Sequence, residues 1–448
     1  MKLLLIAPTV PAERYPKGGY AFRVANYNLP YIAALTPPGI DIRIVDECVE
    51  AIPFDTRADL VGITVNTPLA PYSYELAKRF RAQGSKVVLG GIHPSVFPEE
   101  GLLHADAVVV GEAETSWPKL IRDFREGKLR ELYRGEQAKL RGTPVPRWDL
   151  MRQNRYIIKR SLTATRGCIY NCDFCSIFPA VGSGFRMRPV EEVVRDVVAG
   201  RSRRVMFWDD NIIGDRNYAH RLFSALVPLN IRWVSQATFN FSQDEKLIQS
   251  AYRSGCRGIF LGIESLSSES LNEANKSFNM VNRYKEGIQR LHDHGIGISA
   301  GFVFGFDNDK PSVFERTLAF AHKTGIDACN FKLLTPYPGT PLYDRLDQEG
   351  RIIDKDWSHY RGKTHVVFRP KGMTPEELLQ GFKWVRRECY NWSSILRRLG
   401  KSRTSVLSGL AMNMGYRYIT RKEDPSRGWN PAASQGEKMK SKATAHRR

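Results

Sequence analysis

The sequence lacks any run of about 20 apolar residues, the length that a membrane-spanning helix requires. It also lacks a secretory signal, because the short apolar stretch at the amino terminus stops at Pro8. Cysteine is scarce, and its odd count of seven argues against a disulfide framework and for a reducing compartment. These absences predict a cytoplasmic globular protein, and 448 residues are enough for two or three domains.

Acidic residues are outnumbered, since 67 Lys and Arg against 47 Asp and Glu give a net charge of +20. The excess is uneven: residues 397–448 hold 13 Lys and Arg and only 3 Asp and Glu, which is half of the net charge. A basic tail with its own role is therefore expected rather than a nucleic-acid footprint over the whole surface. An RNA-modifying or RNA-binding protein remains an alternative. The sequence shows no appended RNA-binding motif, which argues against it.

The first 131 residues alternate strand-like and helix-like segments. Short apolar runs predict buried strands at residues 2–8, 40–46, 59–65, 86–91 and 106–112. A helical pattern at residues 71–84 lies between two of these runs. The alternation predicts an α/β domain with a doubly wound parallel sheet. Residues 132–159 are polar and rich in proline, and they are expected to form a linker.

A second alternation follows in residues 160–345. Strands are predicted at residues 162–166, 204–208, 231–236, 258–264, 297–306 and 328–334, with helical patterns between them. Six β/α units in series predict a partial barrel of the TIM type, in which the chemistry belongs at the carboxyl ends of the strands. Residues 346–422 are expected to be helical, and residues 423–448 are expected to be a disordered basic tail.

Cys168, Cys172 and Cys175 are spaced as C-x3-C-x2-C directly after the first barrel strand. Thiolates suit zinc, copper(I) or iron–sulfur clusters. A structural zinc site needs four protein ligands, but the next histidine is His220 and the next cysteine is Cys256. A cubane cluster normally takes four cysteines, so three would leave one iron open for substrate chemistry. A zinc-stabilised scaffold or an electron carrier would require a fourth ligand.

This motif at the first strand of a six-unit partial barrel resembles the radical S-adenosylmethionine (SAM) superfamily. Phe174 matches the aromatic residue that the family places beside the adenine. The resemblance implies that Cys168, Cys172 and Cys175 hold a [4Fe–4S] cluster whose open iron binds SAM. It further implies an external electron donor of the flavodoxin or ferredoxin type, cleavage of SAM to a 5′-deoxyadenosyl radical, and attack on an unactivated carbon.

The ends of other barrel strands match the family as well. The segment "FWDDN" (207–211) resembles the second-strand motif that receives the SAM amino group, and a cap for the following helix is the alternative interpretation. Glu264 in "GIES" matches a position that contacts ribose, and Gln236 after the third strand is a weaker candidate. The implied SAM contacts are Phe174, Asp209, Asp210, Asn211, Gln236 and Glu264.

The segments "GGIHPSVFPEE" (90–100) and "ADAVVVGEAE" (105–114) resemble the flavodoxin-like cobalamin-binding domain that precedes many radical SAM enzymes. Ligands of doubly wound sheets bind outside the carboxyl ends of the strands. The implied cobalamin contacts lie there: Thr64, Thr67, Gly90, Gly91, His93, Gly111, Glu112 and Glu114. The D-x-H-x-x-G signature is missing after the first strand, so cobalamin would be bound without its histidine, or the domain keeps only the fold. His93 is expected to be a loop residue or a polar contact rather than a cobalt ligand.

The resemblance covers residues 1–390 and implies cobalamin-dependent C-methylation, with radical cyclisation, rearrangement or carbon–carbon coupling as the alternative. A lipid-like or large apolar substrate is expected from the aromatic residues placed around the barrel mouth, namely Phe178, Phe185, Trp208 and Trp233. Residues 404–416 are uncharged and have basic flanks, which predicts contact with a membrane surface. A C-terminal helix docked on the barrel is the alternative for this segment.

Overall fold

The computed structural model describes residues 1–9, 23–182, 184–402 and 404–423, with only the backbone of the last two. Most of the loop after the first strand, and residues 424–448 of the tail for which disorder was expected, lie outside the described residues. The described chain forms two six-stranded parallel sheets and a carboxyl-terminal group of helices. An apolar core extends from one face of the first sheet into the barrel, so the two units pack against each other.

The first sheet has the strand order β2-β1-β3-β4-β5-β6, and all of its pairs are parallel. Its strands are β1 (Lys2–Ala7), β2 (Asp41–Asp46), β3 (Leu60–Thr64), β4 (Lys86–Gly90), β5 (Ala107–Val110) and β6 (Leu132–Arg134). Its helices are α1 (Asn28–Leu35), α2 (Ala70–Ala82), α3 (Ile92–Val96), α4 (Pro98–Leu102) and α5 (Ala113–Arg125). This order confirms the doubly wound, flavodoxin-like domain.

The linker was expected to start at residue 132, but strand β6 occupies the first three of its residues. Leu132–Arg134 pairs in parallel with β5, so these residues belong to the first sheet. Tyr133 is buried, and its hydroxyl donates to Asp123 Oδ2 at 3.0 Å, which fixes the short strand against α5. Three residues are too few to show an alternating pattern, so no strand was predicted here.

The second sheet is open and has the order β14-β13-β12-β11-β10-β7, with parallel pairs throughout. Its strands are β7 (Arg160–Leu162), β10 (Arg204–Phe207), β11 (Arg232–Thr238), β12 (Cys256–Glu264), β13 (Gly297–Phe304) and β14 (Ala328–Leu333). Outside this sheet, β8 (Thr165–Arg166) and β9 (Arg186–Met187) form a separate antiparallel pair. The helices are α6 (Ile177–Val181), α7 (Val190–Gly200), α8 (Arg216–Leu226), α9 (Glu245–Arg253), α10 (Ser268–Glu273), α11 (Tyr284–Asp293) and α12 (Val313–Thr324). The predicted partial barrel of six β/α units is confirmed.

The first barrel strand differs from the prediction for residues 162–166. Strand β7 ends at Leu162, and Thr165–Arg166 leaves the sheet to pair antiparallel with β9. The break has a physical cause, because the carboxylate of Asp209 accepts the backbone N–H groups of Ala164 and Thr165 in place of a neighbouring strand. The chain is thereby turned out of the barrel two residues before the first motif cysteine.

The carboxyl-terminal region contains α13 (Pro341–Gln348), α14 (Pro375–Cys389), α15 (Trp392–Leu399) and α16 (Val406–Glu423). Helix α16 lies at the amino ends of β13 and β14. Asn413 Nδ2 donates to the carbonyl of Asp327 at 2.7 Å, and Thr404 Oγ1, just before the helix, donates to Asp327 Oδ1 at 2.6 Å. Among the described helices, none is long and apolar enough to cross a membrane.

Candidate active site

The three motif cysteines lie in a loop between β8 and α6. Gly167 opens this loop with a φ of +85°, and a Cβ atom there would lie 2.2 Å from the carbonyl oxygen of Gly184. Burial raises the pKa of the Cys172 thiol to about 12 and that of the Cys175 thiol to about 11. The thiols also raise one another's pKa values, Cys168 included, so the three sulfur atoms lie close enough to interact.

The donor set fits an iron–sulfur cluster rather than a single metal ion. Within the described ranges, no three His, Cys, Asp or Glu side chains converge on one metal-ion position. The cysteines of a cubane cluster bind different irons, so their sulfur atoms need not converge on one point. Cys256 begins β12, whereas Glu264, at the other end of that strand, lies beside Cys172. Cys256 is therefore not a fourth ligand, and the three cysteines fit a cluster with one open iron.

Asp209 and Asp210 hold the backbone that leads into the cysteine loop. Asp209 accepts hydrogen bonds from Ala164 N at 3.1 Å, from Thr165 N at 2.5 Å and from Thr165 Oγ1 at 2.5 Å. Asp210 accepts from Gly167 N at 2.9 Å. Burial raises the pKa of Asp209 to about 7, against the opposing effect of these hydrogen bonds. The carboxylate of Asp209 is thus fully engaged by the chain itself.

Asn211 is buried, and its Oδ1 accepts from Thr238 N at 3.2 Å. Its Nδ2 has no partner among the described residues, which leaves a buried donor for a ligand. The alternative reading of residues 209–211 as a helix cap is wrong, because Asp215 caps α8 by accepting from Tyr218 N. Gln236 lies half-buried on β11. The Phe174 ring packs edge-on against Phe306 at 6.1 Å.

Glu264, the last residue of β12, forms a buried ion pair with Lys276. The distance from Glu264 Oε1 to Lys276 Nζ is 2.9 Å, and the side chains are 11% and 7% exposed. Burial alone would lower the pKa of Lys276, but Glu264 and Cys172 raise it above its usual value. In return, Lys276 opposes the upward shifts of all three cysteine pKa values. A buried cation therefore lies beside the thiols.

The backbone around this ion pair is specialised. Glu264 has a φ of +63°, which is the left-handed region that favours glycine, and such strain is concentrated at functional sites. A Cβ atom on Gly262 would lie 2.4 Å from Glu264 Oε1 and 3.0 Å from Lys276 Nζ. A side chain at position 262 would therefore displace the Glu264 carboxylate from its present position.

Residues 274–279 hold the cysteine loop from the other side. Asp173 N donates to the carbonyl of Ala274 at 3.2 Å, and Asn275 Nδ2 donates to the carbonyl of Asn171 at 2.8 Å. The rings of Tyr170 and Phe278 stack with centroids 3.5 Å apart, and Asn240 Nδ2 donates to the Tyr170 hydroxyl at 2.8 Å. The position of the loop is thus fixed by contacts with other parts of the chain.

The carboxyl edge of the first sheet presents Thr64 and Gly90 at the ends of β3 and β4. Gly91 has a φ of +110°, and a Cβ atom there would lie 2.8 Å from the carbonyl oxygen of Val65. Thr67 is buried and begins a short 3-10 turn. At Gly90, an added Cβ atom would meet only ordinary contacts. This edge is therefore open to a ligand at Gly90, while Gly91 is required by the fold itself.

His93 is enclosed in the first domain. Its side chain is fully buried, Nε2 lies 3.4 Å from Glu100 Oε1, and the rings of Phe97 and Trp357 are each 5.5 Å away. Burial lowers the pKa of His93, against the opposing effect of Glu100. His93 lies within α3, so it is not a loop residue, and its contact with cobalamin stays a prediction.

Glu112 and Glu114, which were expected beside cobalamin, hold two arginines of the barrel. Arg166 donates to both carboxylates, with Nη1 2.8 Å from Glu112 Oε2 and Nη2 2.6 Å from Glu114 Oε1. Arg186 also pairs with Glu112, and Tyr31 donates to Glu114 at 3.0 Å. Burial would raise the pKa of Glu112, but Arg186 and Arg166 hold it below its usual value. Both carboxylates are therefore engaged by arginines of the barrel, and the N–H of Gly111 in the same turn donates to Ser95 Oγ at 2.9 Å.

The carboxyl edges of the two sheets face each other across the cysteine loop. Arg166 joins that loop to the turn after β5, and Gly339 packs against Val96 of α3 and Pro179 of α6. A ligand at the edge of the first sheet would consequently face the cysteines. Because Gly90 and Gly111 carry no side chains, this edge would leave room for a flat cofactor.

Exposed apolar side chains surround the loop. Ile169, Phe178 and Trp208 are 51%, 45% and 43% exposed. Phe185 is half-buried, and its ring occupies the space beside Gly214. Trp233, which was expected at the mouth, is buried near the amino end of β11. That expectation was wrong because Trp233 is the second residue of its strand rather than one of the last.

Sequence reasoning missed Lys276, Arg166, Arg186 and Tyr170. Lys276 lies in an irregular segment after α10, where a single lysine carries no distinctive spacing. The two arginines act through partners far away in the chain, and only the fold brings them together. Tyr170 lies within the cysteine motif and offered a signal, since an aromatic side chain beside a cofactor loop tends to pack against a neighbouring segment.

Three family models match the chain. The Radical SAM superfamily matches residues 162–321, and the B12 binding domain matches residues 20–121. A domain of unknown function (DUF4070) matches residues 340–409, which contain α13, α14 and α15. The first two matches agree with the barrel and with the doubly wound domain.

Known proteins resemble the chain over most of its length. Bacteriochlorophyllide d C-12(1)-methyltransferase of Chlorobaculum tepidum is 33% identical over 385 residues, covering 83% of this chain and 84% of that protein. Hopanoid C-2 methylase of Rhodopseudomonas palustris is 28% identical over 343 residues, covering 72% and 64%. The fold resembles that of the radical SAM methyltransferase TsrM of Kitasatospora setae, solved with cobalamin and a [4Fe-4S] cluster bound. The TM-score is 0.67 at 17% identity, over 94% of this chain and 99% of that chain.

Proposed function

Since the chain belongs to the cobalamin-dependent radical SAM methylases, we propose that it methylates an unactivated carbon of a large, polycyclic, apolar substrate. The enzyme uses a [4Fe–4S] cluster, SAM and cobalamin. When bound, the cluster and SAM supply the radical that removes a hydrogen atom, and cobalamin supplies the methyl group. The identity of the substrate is the part that we propose.

Different residues of the chain would hold the cluster, balance its charge and contact SAM. Cys168, Cys172 and Cys175 would hold the cluster, and the Asp209 carboxylate fixes the backbone that leads into their loop. Lys276 would balance the negative charge gathered by three thiolates. Toward SAM, we propose Phe174, Asn211, Gln236 and Glu264 as contacts, with the buried Asn211 amide as a hydrogen-bond donor.

For cobalamin, we propose contact with the carboxyl edge of the first sheet, at Thr64, Thr67, Gly90, Gly91 and Gly111. These residues end or follow β3, β4 and β5, where doubly wound sheets bind their ligands. His93 would support this edge from the interior of the first domain. Glu112 and Glu114 would contribute indirectly, because they hold Arg166 in position.

The apolar nature of the substrate is supported by one observation above all. Ile169, Phe178 and Trp208 are large, exposed and close to the cysteine loop. An exposed apolar patch on a protein surface commonly marks a binding site. The names of the relatives give a bacteriochlorophyllide and a hopanoid as substrates, and both are polycyclic and apolar. We carry this shared chemistry, and not either compound, to the present chain.

We also place the enzyme in the cytoplasm, where an external donor of the flavodoxin or ferredoxin type would reduce the cluster. The basic, partly apolar carboxyl-terminal region is proposed to contact a membrane surface.

Transfer of an isotope-labelled methyl group from SAM tests the proposal. The reconstituted enzyme is offered a chlorin, a pentacyclic triterpene and tRNA, and labelled product is expected only from a polycyclic compound. SAM cleavage with a modified but unlabelled polycyclic product would instead favour cyclisation or coupling, and label in tRNA would contradict the proposal. We expect Trp208→Ala to raise KM for the polycyclic substrate. The matched control is Trp392→Ala on α15, since Trp392 is similarly exposed at 47%.

A further inference from the structure

A group of arginines lies at the end of the barrel opposite the cysteine loop. Arg204 begins β10, Arg232 begins β11, and Arg257 is the second residue of β12. With Arg203 they line a concave site of about 400 Å³, completed by Asn230 and Ile231. The amino ends of these parallel strands therefore gather four guanidinium groups around one cavity.

These four arginines are exposed and carry like charges. Arg204 and Arg232 are direct partners in the parallel register, where like charges are destabilising. In the described part of the chain, no carboxylate forms an ion pair with any of the four, although Arg257 donates to the carbonyl groups of Tyr252 and Cys256. By contrast, Arg166, Arg186 and Arg188 at the other end of the barrel each pair with an acidic residue. An uncompensated cationic cavity is suited to an anion.

An exposed aromatic side chain lies beside one of these arginines. The Arg257 guanidinium lies 4.3 Å from the ring centroid of Tyr252, which is 41% exposed. A Cβ atom on Gly297 would touch both the carbonyl of Arg257, at 3.4 Å, and Thr404 Oγ1, at 3.9 Å. The residues that precede α16 are thus neighbours of the arginine site, and Leu407 in the first turn of that helix is 80% exposed.

Helix α16 also presents an exposed apolar face. The exposed side chains Leu407, Ala411, Met414 and Tyr418 recur at intervals of four, three and four residues, which places them on one side of the helix. Asn413 lies on the other side, where it contacts Asp327. We call the four arginines and this exposed helix face the amino-end surface.

We propose that the amino-end surface docks the enzyme on a membrane of anionic phospholipids. Guanidinium groups would pair with lipid phosphates, and the apolar face of α16 would enter the boundary between head groups and acyl chains. The same arginines could meet the phosphates of RNA. However, a row of exposed Leu, Ala and Met side chains offers nothing to stacked bases or to a phosphate backbone, so the combination favours a membrane.

The amino-end surface and the cysteines lie at opposite ends of the barrel strands. Docking there would leave the carboxyl edges of both sheets uncovered. The inference deepens the proposed membrane contact but does not depend on methyl transfer or on the substrate, so the two proposals can fail separately.

Co-sedimentation of the full-length protein with vesicles tests the inference. One set of vesicles is pure phosphatidylcholine, and the other is an equal mixture with phosphatidylglycerol. We expect binding to the anionic vesicles that weakens at high salt, and a loss of about tenfold or more in Arg204→Glu/Arg232→Glu. The matched control is Arg122→Glu/Arg125→Glu, which makes the same charge change at exposed positions of α5. A Leu407→Asp/Met414→Asp variant is expected to bind less even at low salt.

Iron content and circular dichroism would establish that each variant is folded. Equal binding by the two charge-reversal variants would overturn the inference, as would failure of wild type to prefer anionic vesicles. Binding of wild type to a single-stranded RNA probe that is lost in Arg204→Glu/Arg232→Glu, without vesicle binding, would overturn it in favour of a nucleic-acid partner.

Discussion

Arg166 and Glu112 form an ion pair between the two domains, with 2.8 Å between Nη1 and Oε2. Arg166 lies two residues before Cys168, and Glu112 follows the last residue of β5 by two positions. The pair therefore connects the start of the cysteine loop to the edge of the sheet at which we place cobalamin. Both side chains are largely buried, at 17% and 6% exposure, so solvent does little to weaken their attraction.

Glu112→Gln removes the charge that faces both Arg166 and Arg186. We expect a loss of about 3 kcal/mol, because breaking a buried pair leaves an uncompensated charge. The apparent melting temperature should fall by several degrees, and less iron should remain after desalting. Glu126→Gln is the control, since Glu126 is 51% exposed and its ion pair among the described residues is with exposed Lys128. Equal melting temperatures and iron contents in the two variants would contradict the role assigned to Glu112.

Lys276→Met removes the buried cation beside the thiols. We expect the reduction potential of the cluster to fall, because a nearby positive charge favours the more negative, reduced state. Retention of iron should also fall, since Lys276 lowers the pKa values of all three cysteines. A redox titration followed by electron paramagnetic resonance measures the potential. Lys276→Arg keeps the charge and should lie closer to wild type. An unchanged potential in the methionine variant would refute the electrostatic role.

Gly262→Ala tests the space around the Glu264–Lys276 pair. The new methyl group would lie 2.4 Å from Glu264 Oε1, so the carboxylate must move. We expect SAM cleavage to fall at least about tenfold, because small displacements of positioning groups cost large factors in rate. Gly258→Ala is a control on the same strand, where the methyl group would meet Val234 at an ordinary 3.4 Å. Similar losses in both variants would point to β12 as a whole rather than to the ion pair.

Asp209 predicts a pH dependence. Its pKa is raised to about 7 by burial, so the folded state favours the protonated carboxyl. Such a group contributes stability below its unfolded pKa of about 4 and loses it as the pH rises through about 7. The melting temperature of wild type minus that of Asp209→Asn should therefore fall between about pH 5 and about pH 8. Groups common to both proteins cancel in the difference. A difference that does not vary with pH would disprove the raised pKa.

Long, strongly patterned elements could be predicted from the sequence. The buried strands of both sheets and the amphipathic helices α7, α8, α9, α11 and α12 carry local apolar patterns, and the cysteine motif has a fixed spacing. Strand β6 and the break after Leu162 could not be predicted, because three residues show no period and the break depends on Asp209, which lies more than 40 positions away.

In the candidate site, too, features with a local sequence pattern could be predicted and features that depend on tertiary contacts could not. Its cysteines were predicted because their spacing is local, whereas Lys276 and Arg166 act through tertiary contacts that no local pattern records. Glu112 and Glu114 were correctly placed at a strand end, but their partners are arginines from the second domain. Trp233 was misplaced because its residue type was considered without its position along β11.

The most direct test compares wild type, Cys172→Ala and Cys256→Ala after anaerobic reconstitution with iron, sulfide and hydroxocobalamin. Iron, cobalt and SAM cleavage are measured on the same desalted samples. We predict that wild type and Cys256→Ala retain the cluster and cobalt and cleave SAM, because Cys256 is buried at the far end of β12. Cys172→Ala should lose cluster-dependent cleavage while it still binds cobalt through the first domain. Cleavage that persists in Cys172→Ala, or a folded wild type that takes up neither iron nor cobalt, would contradict the account.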